Sequence, residues 1–420
     1  MKNITRRRFV TVTASTAAGL ALARTPASAA ATIRIGLIGC GGRGTAAVKD
    51  CLTSSDGVEL VALGDLFPDH LAKCRENLAS VATVDDRHAF TGFDAYQKVL
   101  DSKIDLVLLA TPPAFRARHL AAALDAGKHV FMEKPVAVDA TGVRSVMASA
   151  DVAAQKGLAI VAGTQRRHDA GYRAAIQRIH DGGIGDLVGG QVYWNQGGLW
   201  MHPREPAWSD VEWQIRNWLY FTWLSGDHIV EQHVHNIDVA NWVFGAHPVK
   251  AVGVGGRQAR TDPAYGHIFD HFAVEFEYPG GARVQSMCRQ IEHTASRVAE
   301  RFVGTRGTSD AHSIIEGAAP WRWEPDPQTP KTNPYVQEHR DLIASIRAGR
   351  PLNEGRQVAE STLTAIMGRE AAYTGQEITW DEMLNASQDL VPSDLQFGPM
   401  PVASVATPGR TVVARSWRSA

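Results

Sequence analysis

The sequence predicts an α/β fold: a doubly wound parallel sheet, then a C-terminal α+β unit on an open, mostly antiparallel sheet. Three observations carry that prediction. From Thr32 to Ala162, short apolar runs alternate with helix-periodic stretches, as strands and crossover helices do in a parallel sheet. A glycine-rich turn, Gly39-Cys40-Gly41-Gly42-Arg43-Gly44, joins the first run to the first helical stretch. Past Leu187 the apolar runs follow one another across turns, and Pro279-Gly280-Gly281 reads as a hairpin.

The N-terminal residues have a different grammar. Arg6 and Arg7 precede Phe9, then an uncharged run, 10–23. Ala27-Ser28-Ala29 offers small residues to a signal peptidase, and the run falls short of the ~20 apolar residues of a membrane span. Residues 1–31 therefore read as a cleaved twin-arginine signal peptide. That route predicts contact with the twin-arginine export machinery, export of a folded protein, and a periplasmic or secreted destination.

The 420 residues include 43 basic and 44 acidic side chains. Near-zero net charge gives no electrostatic case for nucleic acid or an anionic membrane. After the signal, no apolar run is long enough to cross a bilayer. Cys40, Cys51, Cys74 and Cys288 show neither metal-ligand spacing nor a disulfide framework.

The first strand, 32–38, runs into the glycine turn, and Ala46-Ala47-Val48 begins a helix. Strand, GxGxxG and helix in that order are the fingerprint of a dinucleotide site. Gly39 permits the tight turn, Gly41 lets backbone approach a pyrophosphate, and Gly44 lets helix and strand pack closely. Gly42 and Arg43 share that turn, at the helix N-terminus that faces phosphate. The second strand, 59–64, ends at Asp65, whose carboxylate can accept adenosine ribose hydroxyls and repels a 2′-phosphate. NAD is therefore expected in preference to NADP, since Leu66-Phe67-Pro68 adds no basic residue. A helix N-cap is the other role open to Asp65.

A strand at 104–110 stops at Thr111-Pro112-Pro113, and the helix 116–126 carries His119. A strand at 128–132 ends at Glu133-Lys134-Pro135; a helix at 140–156 and a strand at 158–162 lead to Gln165. Thr111, Pro112, His119, Glu133, Lys134 and Gln165 thus lie at or beside carboxyl strand ends, where ligands of such sheets bind. Further strands are expected at 187–194, 249–255, 272–278, 282–289 and 298–304. Helices follow at 336–348 and 356–374, the second capped by Gly375. The Pro/Ser/Ala-rich tail from Pro392 reads as an arm on another subunit or as disorder.

Gly39-x-Gly41-x-x-Gly44, Thr111-Pro112-Pro113, Glu133-Lys134-Pro135 and Gly171-Tyr172…Gly185-Asp186 together resemble the Gfo/Idh/MocA family, that of glucose–fructose oxidoreductase and inositol dehydrogenase. The resemblance covers about 32–383. It implies a Rossmann domain at 32–164 and an α+β domain at 165–383 whose late helices pack back toward the first, leaving 384–420 as tail. It also implies hydride transfer between nicotinamide and a carbon of a small carbohydrate substrate. A homo-oligomer, dimer or tetramer, would be built on the open sheet.

In the family the lysine matching Lys134 helps proton transfer at the hydroxyl being oxidised. Pro135 biases Lys134 away from helical geometry, and a desolvated lysine can exchange its proton near neutrality. The family's Asp-x-Gly-x-His maps onto Glu231, His233 and His235. The resemblance makes His235 the acid/base and Glu231 a carboxylate of the site, one methylene longer than usual. His233 replaces a glycine and is a candidate substrate contact. An extended segment would gather Glu231, His233 and His235 as zinc or manganese ligands; a helical one would separate His233 from the other two. His168 and Tyr172, beside Arg166, are further substrate candidates. So are Arg216 and Trp218 in the Trp-rich span 193–223, since indoles stack on the C–H faces of sugars.

Export adds a condition. NAD that dissociated outside the cytoplasm would be lost, so retention and recycling in one site are expected. Either a second carbonyl compound takes the hydride back, or one glycoside is oxidised, eliminates, adds water and is reduced again. The first scheme is a sugar oxidoreductase. The second is a redox-neutral glycosidase or lyase, with His168, Tyr172, His228 or His233 as extra base. A non-catalytic sugar sensor is a third class, which the presence of Lys134 and His235 opposes.

Overall fold

Six strands form the first sheet: β1 Ile33–Ile38, β2 Val58–Asp65, β3 Ala89–Thr91, β4 Leu106–Leu109, β5 His129–Met132 and β6 Ile160–Ala162. All pair in parallel, in the order β3-β2-β1-β4-β5-β6. The structure, a computed structural model, describes residues 32–327 and 333–413; the signal peptide expected at 1–31 lies outside the described residues. All four residues of β4 are buried, because helices cover both faces of the sheet. The strand order reverses between β1 and β4, which opens a crevice at their carboxyl ends. β3 escapes the sequence reading, since three half-exposed residues carry no apolar run.

Nine strands form the second sheet: β7 Leu187–Gln196, β8 Lys250–Gly256, β9 His271–Glu277, β10 Arg283–Gln290, β11 Arg297–Gly304, β12 Gly307–Ser309, β13 Ile314–Gly317, β14 Trp321–Arg322 and β15 Ile378–Thr379. Their order is β14-β13-β12-β11-β7-β10-β9-β8-β15, antiparallel except for β7 beside β10. β10 alternates: Val284, Ser286 and Cys288 are buried, while Arg283, Gln285 and Met287 are exposed. One face is therefore covered by helices and the other is open.

Two late helices join the halves. Pro334–Arg347 packs on the helix Gly42–Ser54 that follows the glycine turn, and Gly355–Thr374 packs between Ala140–Lys156 and β8. Gly355–Thr374 is buried on nearly all sides, as a helix enclosed by two layers must be. Gly375 ends it in the left-handed region, at φ 72°.

The described part of the tail runs over both halves. Residues 386–413 lie along their own chain. Hydrogen bonds explain it: Thr141 N–H donates to the Gln388 carbonyl, Leu390 N–H to Asp139 (2.6 Å), and Val211 N–H to the Gly398 carbonyl. Leu390 and Met400 are buried, which anchors both ends of the crossing.

Candidate active site

The glycine turn is shaped by close approach. Gly39 holds φ 100°, and a Cβ there would lie 2.6 Å from the Ala110 carbonyl carbon. A Cβ on Gly44 would collide with the Gly39 carbonyl oxygen, so helix and strand meet only through glycine. Gly41 and Gly42 face open space instead, with nothing within 4 Å of a Cβ. A cleft of about 760 Å³ runs from this turn past Asp65 and Phe93 to Thr111, Pro112 and His119. Asp65 accepts the N–H groups of Cys40 (2.6 Å) and Phe67 (2.8 Å), which locks the end of β2 to the turn. It is not the helix N-cap; Pro68–Leu78 begins at Phe67 without side-chain capping. His119 stacks on Tyr96 at 4.4 Å, and burial pushes its pKa down to about 3. An open glycine cradle, a carboxylate at the ribose position and an apolar slot fit NAD.

Arg43 turns behind the cradle. It donates to Glu133 and to Asp50 (3.2 Å), stands 3.6 Å from Glu338 and lies over the Tyr335 ring, so three carboxylates compete with phosphate for its guanidinium. Gln165 donates to the Tyr335 hydroxyl at 3.1 Å in the same layer. Arg43, Glu133 and Gln165 therefore tie the turn to β5, β6 and the helix Pro334–Arg347, a positioning role that differs from the direct cofactor contact expected of Arg43.

Lys134 follows β5, and its peptide bond to Pro135 is cis. Nζ donates to Glu231 Oε1 at 3.0 Å and to the Glu231 carbonyl at 2.5 Å. The two side chains are only 12% and 11% exposed, so this ion pair is poorly screened. The segment is helical, His228–Glu231 and then Val234–Phe244. His235 stacks on Trp194 at 5.6 Å, and among the described residues its ring has no hydrogen-bond partner. Burial first, then the charges of Lys134, Arg166 and Arg43, hold its pKa well below the ordinary value. The ring is thus neutral and able to take a proton.

A polar layer backs this ring. Arg166 donates to Glu300, Asn236 donates to Glu300 at 2.6 Å, and the Tyr172 hydroxyl donates to it at 3.3 Å. The Arg166 guanidinium stands 5.9 Å from the Trp194 ring. Burial pushes the Glu300 carboxyl up. Sequence reasoning missed Glu300, because one acidic residue in an alternating strand carries no signal; only the pairing of β11 with β7 brings it here.

Several expectations are corrected. His233 is fully buried and hydrogen-bonds Ser286 at 2.8 Å, so it meets no substrate. It therefore cannot join Glu231 and His235 around zinc or manganese, and among the described residues no group of three His, Cys, Asp or Glu could hold a metal. His168 is sealed between Asp341 (2.7 Å) and Glu354 (3.2 Å) rather than open to substrate. Tyr172 reaches the site through Glu300 and through the Arg166 guanidinium, 5.7 Å from its ring centre. Arg216 and Trp218 leave the substrate side altogether. Trp218 lines the dinucleotide cleft, and Arg216 pairs with Asp69 at its rim, because the segment before β8 folds over the first domain.

Residues 33–163 match the oxidoreductase family with NAD-binding Rossmann fold, and residues 172–310 match the GFO/IDH/MocA C-terminal domain. The chain belongs to the Gfo/Idh/MocA family. Inositol 2-dehydrogenase 3 of Saccharopolyspora erythraea is 29% identical over 255 residues, which cover 60% of this chain and 65% of that enzyme. The chain thus aligns with slightly less than two thirds of that relative. Scyllo-inositol dehydrogenase from Lactobacillus casei, solved with NAD(H) and scyllo-inositol, shares the Gfo/Idh/MocA fold at TM-score 0.64 and 22% identity, over 83% of this chain and 99% of that one. Aldose–aldose oxidoreductase from Caulobacter crescentus gives 0.65 and 20%, over 83% and 99%. As in the family at large, the first domain of this Gfo/Idh/MocA protein is an NAD-binding one.

Proposed function

We propose that the protein oxidises a carbinol carbon of a sugar or sugar alcohol by reversible hydride transfer and keeps its NAD between turnovers. One observation carries the reading: the Lys134–Glu231 pair stands with the neutral His235 at the carboxyl end of β5, on the edge of the dinucleotide domain. NAD supplies the hydride acceptor when bound. His235 takes the hydroxyl proton, and Lys134, held by Glu231, donates a hydrogen bond to the oxygen as charge develops on it. Trp194 and Arg166 border the same ring, an apolar face and a cation suited to a polyhydroxylated substrate. The inositol and aldose enzymes similar to this chain support that class.

Retention of NAD rests on export. Arg6 and Arg7 with the following apolar run support a twin-arginine route to the periplasm, outside the pool that replenishes NAD. Mature protein purified from cytoplasm without added cofactor should release a stoichiometric amount of NAD on denaturation. Release of little or none would leave an ordinary dissociable dehydrogenase. The same preparation should weigh as a dimer or tetramer by light scattering, since the open sheet face exposes Val254 (68%) and Met287 (45%) in one cross-strand row; a monomer would end that part of the reading. Changing Arg6 and Arg7 together to Lys should hold the protein in the cytoplasm. Undiminished secretion of that variant would reject the route.

The redox-neutral glycosidase needs a second base. His168, His228 and His233 are each buried against other partners, and the Tyr172 hydroxyl is bound to Glu300. The dehydrogenase therefore comes first. Release of an aglycone from a chromogenic glycoside without net change in NADH would reverse that order.

A further inference from the structure

The cleft beside Asp65 has two walls, and only one belongs to the Rossmann domain. Asp65, Phe93 and Tyr96 come from the first domain; Ile215 and Trp218 come from the second. Lys134, Glu231 and His235 do not line this cleft, so it is the adenosine half of the dinucleotide site, with the reacting end beyond it.

The second wall is fastened down. The Arg216 guanidinium lies 3.9 Å from the Phe67 ring centre and donates to both oxygens of Asp69, at 3.0 and 3.1 Å. Glu212 holds it from its own helix at 3.0 Å. The tail then crosses the seam between the domains. Ser393 accepts from Arg118 of the first domain (3.0 Å), while Met400 N–H donates to Asp210 (3.0 Å) and its carbonyl accepts from Gln214 (2.8 Å), both in the second. Between those anchors Phe397 packs on Phe67 and Phe93, with ring centres 6.2 and 5.1 Å away. The two rings that it backs both line the cleft.

We propose that Ile215 and Trp218, held over the cleft by Arg216, and Phe67 and Phe93, backed by the tail residue Phe397, together complete the adenosine site and set the rate at which NAD leaves. The proposal rests on the reading that the cofactor is retained, and it names the residues responsible. An adenine ring suits the site chemically: a flat aromatic ligand between aromatic and aliphatic walls, with a carboxylate placed for the ribose. The tail acts in cis, which makes cofactor retention a property of each subunit.

The test uses the full chain and two variants, Phe397→Ala and Arg216→Gln. Phe397 is 46% exposed, so its truncation leaves the core intact. NADH dissociation is followed by fluorescence during displacement with excess NAD, and the affinity for reduced nicotinamide mononucleotide, which lacks adenosine, is measured beside it. Both variants should release NADH about tenfold faster or more, the scale of loss on truncating an aromatic anchor, with mononucleotide affinity unchanged. A release rate within about threefold of wild type in both, or an equal weakening toward the mononucleotide, overturns the proposal. The ratio of rates is readable whether or not the wild type purifies with NAD. Absence of co-purified NAD therefore fails the retention reading alone, and retained NAD with unchanged ratios fails this one alone.

Discussion

Replacing His235 by Ala should lower turnover by about 10²–10⁴-fold, the usual contribution of a positioned general base. The KM for the best polyol should move far less, because the neutral ring binds its substrate weakly and matters when the proton moves. Lys134→Met should cost a similar factor, since it removes the cation that contacts Glu231 in a pair almost closed to solvent. The two losses should not add in the double variant: the lysine and the histidine act on the same oxygen and proton. Single-turnover formation of NADH measures this directly. NADH affinity serves as the control, because neither side chain lines the adenosine cleft. Turnover of His235→Ala within about tenfold of wild type would remove His235 from the mechanism.

Stability should fall steeply as the pH drops from about 7 to about 5. Burial pushes His119, His233 and His339 down to about 3 and His267 down to about 4, and it holds His235 well below its ordinary value. Neighbouring charge adds to burial: Arg116 and Arg118 at His119, His228 and Arg166 at His233, Arg43 and His168 at His339. At His267, Asp227 partly opposes it. In the unfolded chain these rings titrate near ~6.5. Below that pH the unfolded state binds protons that the native state refuses, so the native state loses ground as acid is added. Each ring contributes up to about 1.4 kcal/mol per pH unit once the pH is well below its unfolded value. Glu338, Asp139 and Glu300 work the other way: burial raises all three carboxyls, and Glu133 adds to the rise at Glu338. His70, His168 and His312 have raised values; they are charged in both states below ~6.5 and add no slope there. Seven lowered rings, with His129 and His202 added to those five, outnumber three raised carboxyls, and that decides the sign. Melting temperatures taken across this window should fall with each step toward acid, and a flat profile would contradict the burial of these rings.

The Rossmann half was legible because its information is local. Apolar runs, the GxGxxG spacing and an acidic residue at the next strand end lie within a few tens of residues of one another, and each has one geometric solution. Lys134, Glu231 and His235 could be read as a set because the Glu133-Lys134-Pro135 and Glu231…His235 motifs resemble a known pattern. The helical alternative for 231–235 also followed from spacing, and the structure takes it as two helices that meet at a turn over Gln232 and His233.

Direction of side chains was not legible. His168 looks like a sugar ligand until Asp341, 173 residues away, claims it. Arg216 looks like a hydroxyl-binding cation until Asp69, 147 residues earlier, pairs with it. Glu300 looks like surface until Arg166 and Asn236 close on it. The tail looked unstructured because it has no periodicity; its order comes from hydrogen bonds to Asp139, Arg118, Asp210 and Gln214, on three separate elements. The sequence by itself therefore determined the class of fold and the dinucleotide cradle, and it singled out Lys134, Glu231 and His235 as a set. The tertiary structure alone decided which polar groups face the site and which are sealed, and that residues of the second domain wall the cleft beside Asp65. The physical reason is range: backbone propensity and motif spacing act over a turn or a strand, whereas the partner that satisfies a buried charge or covers a cleft is set by how whole layers pack.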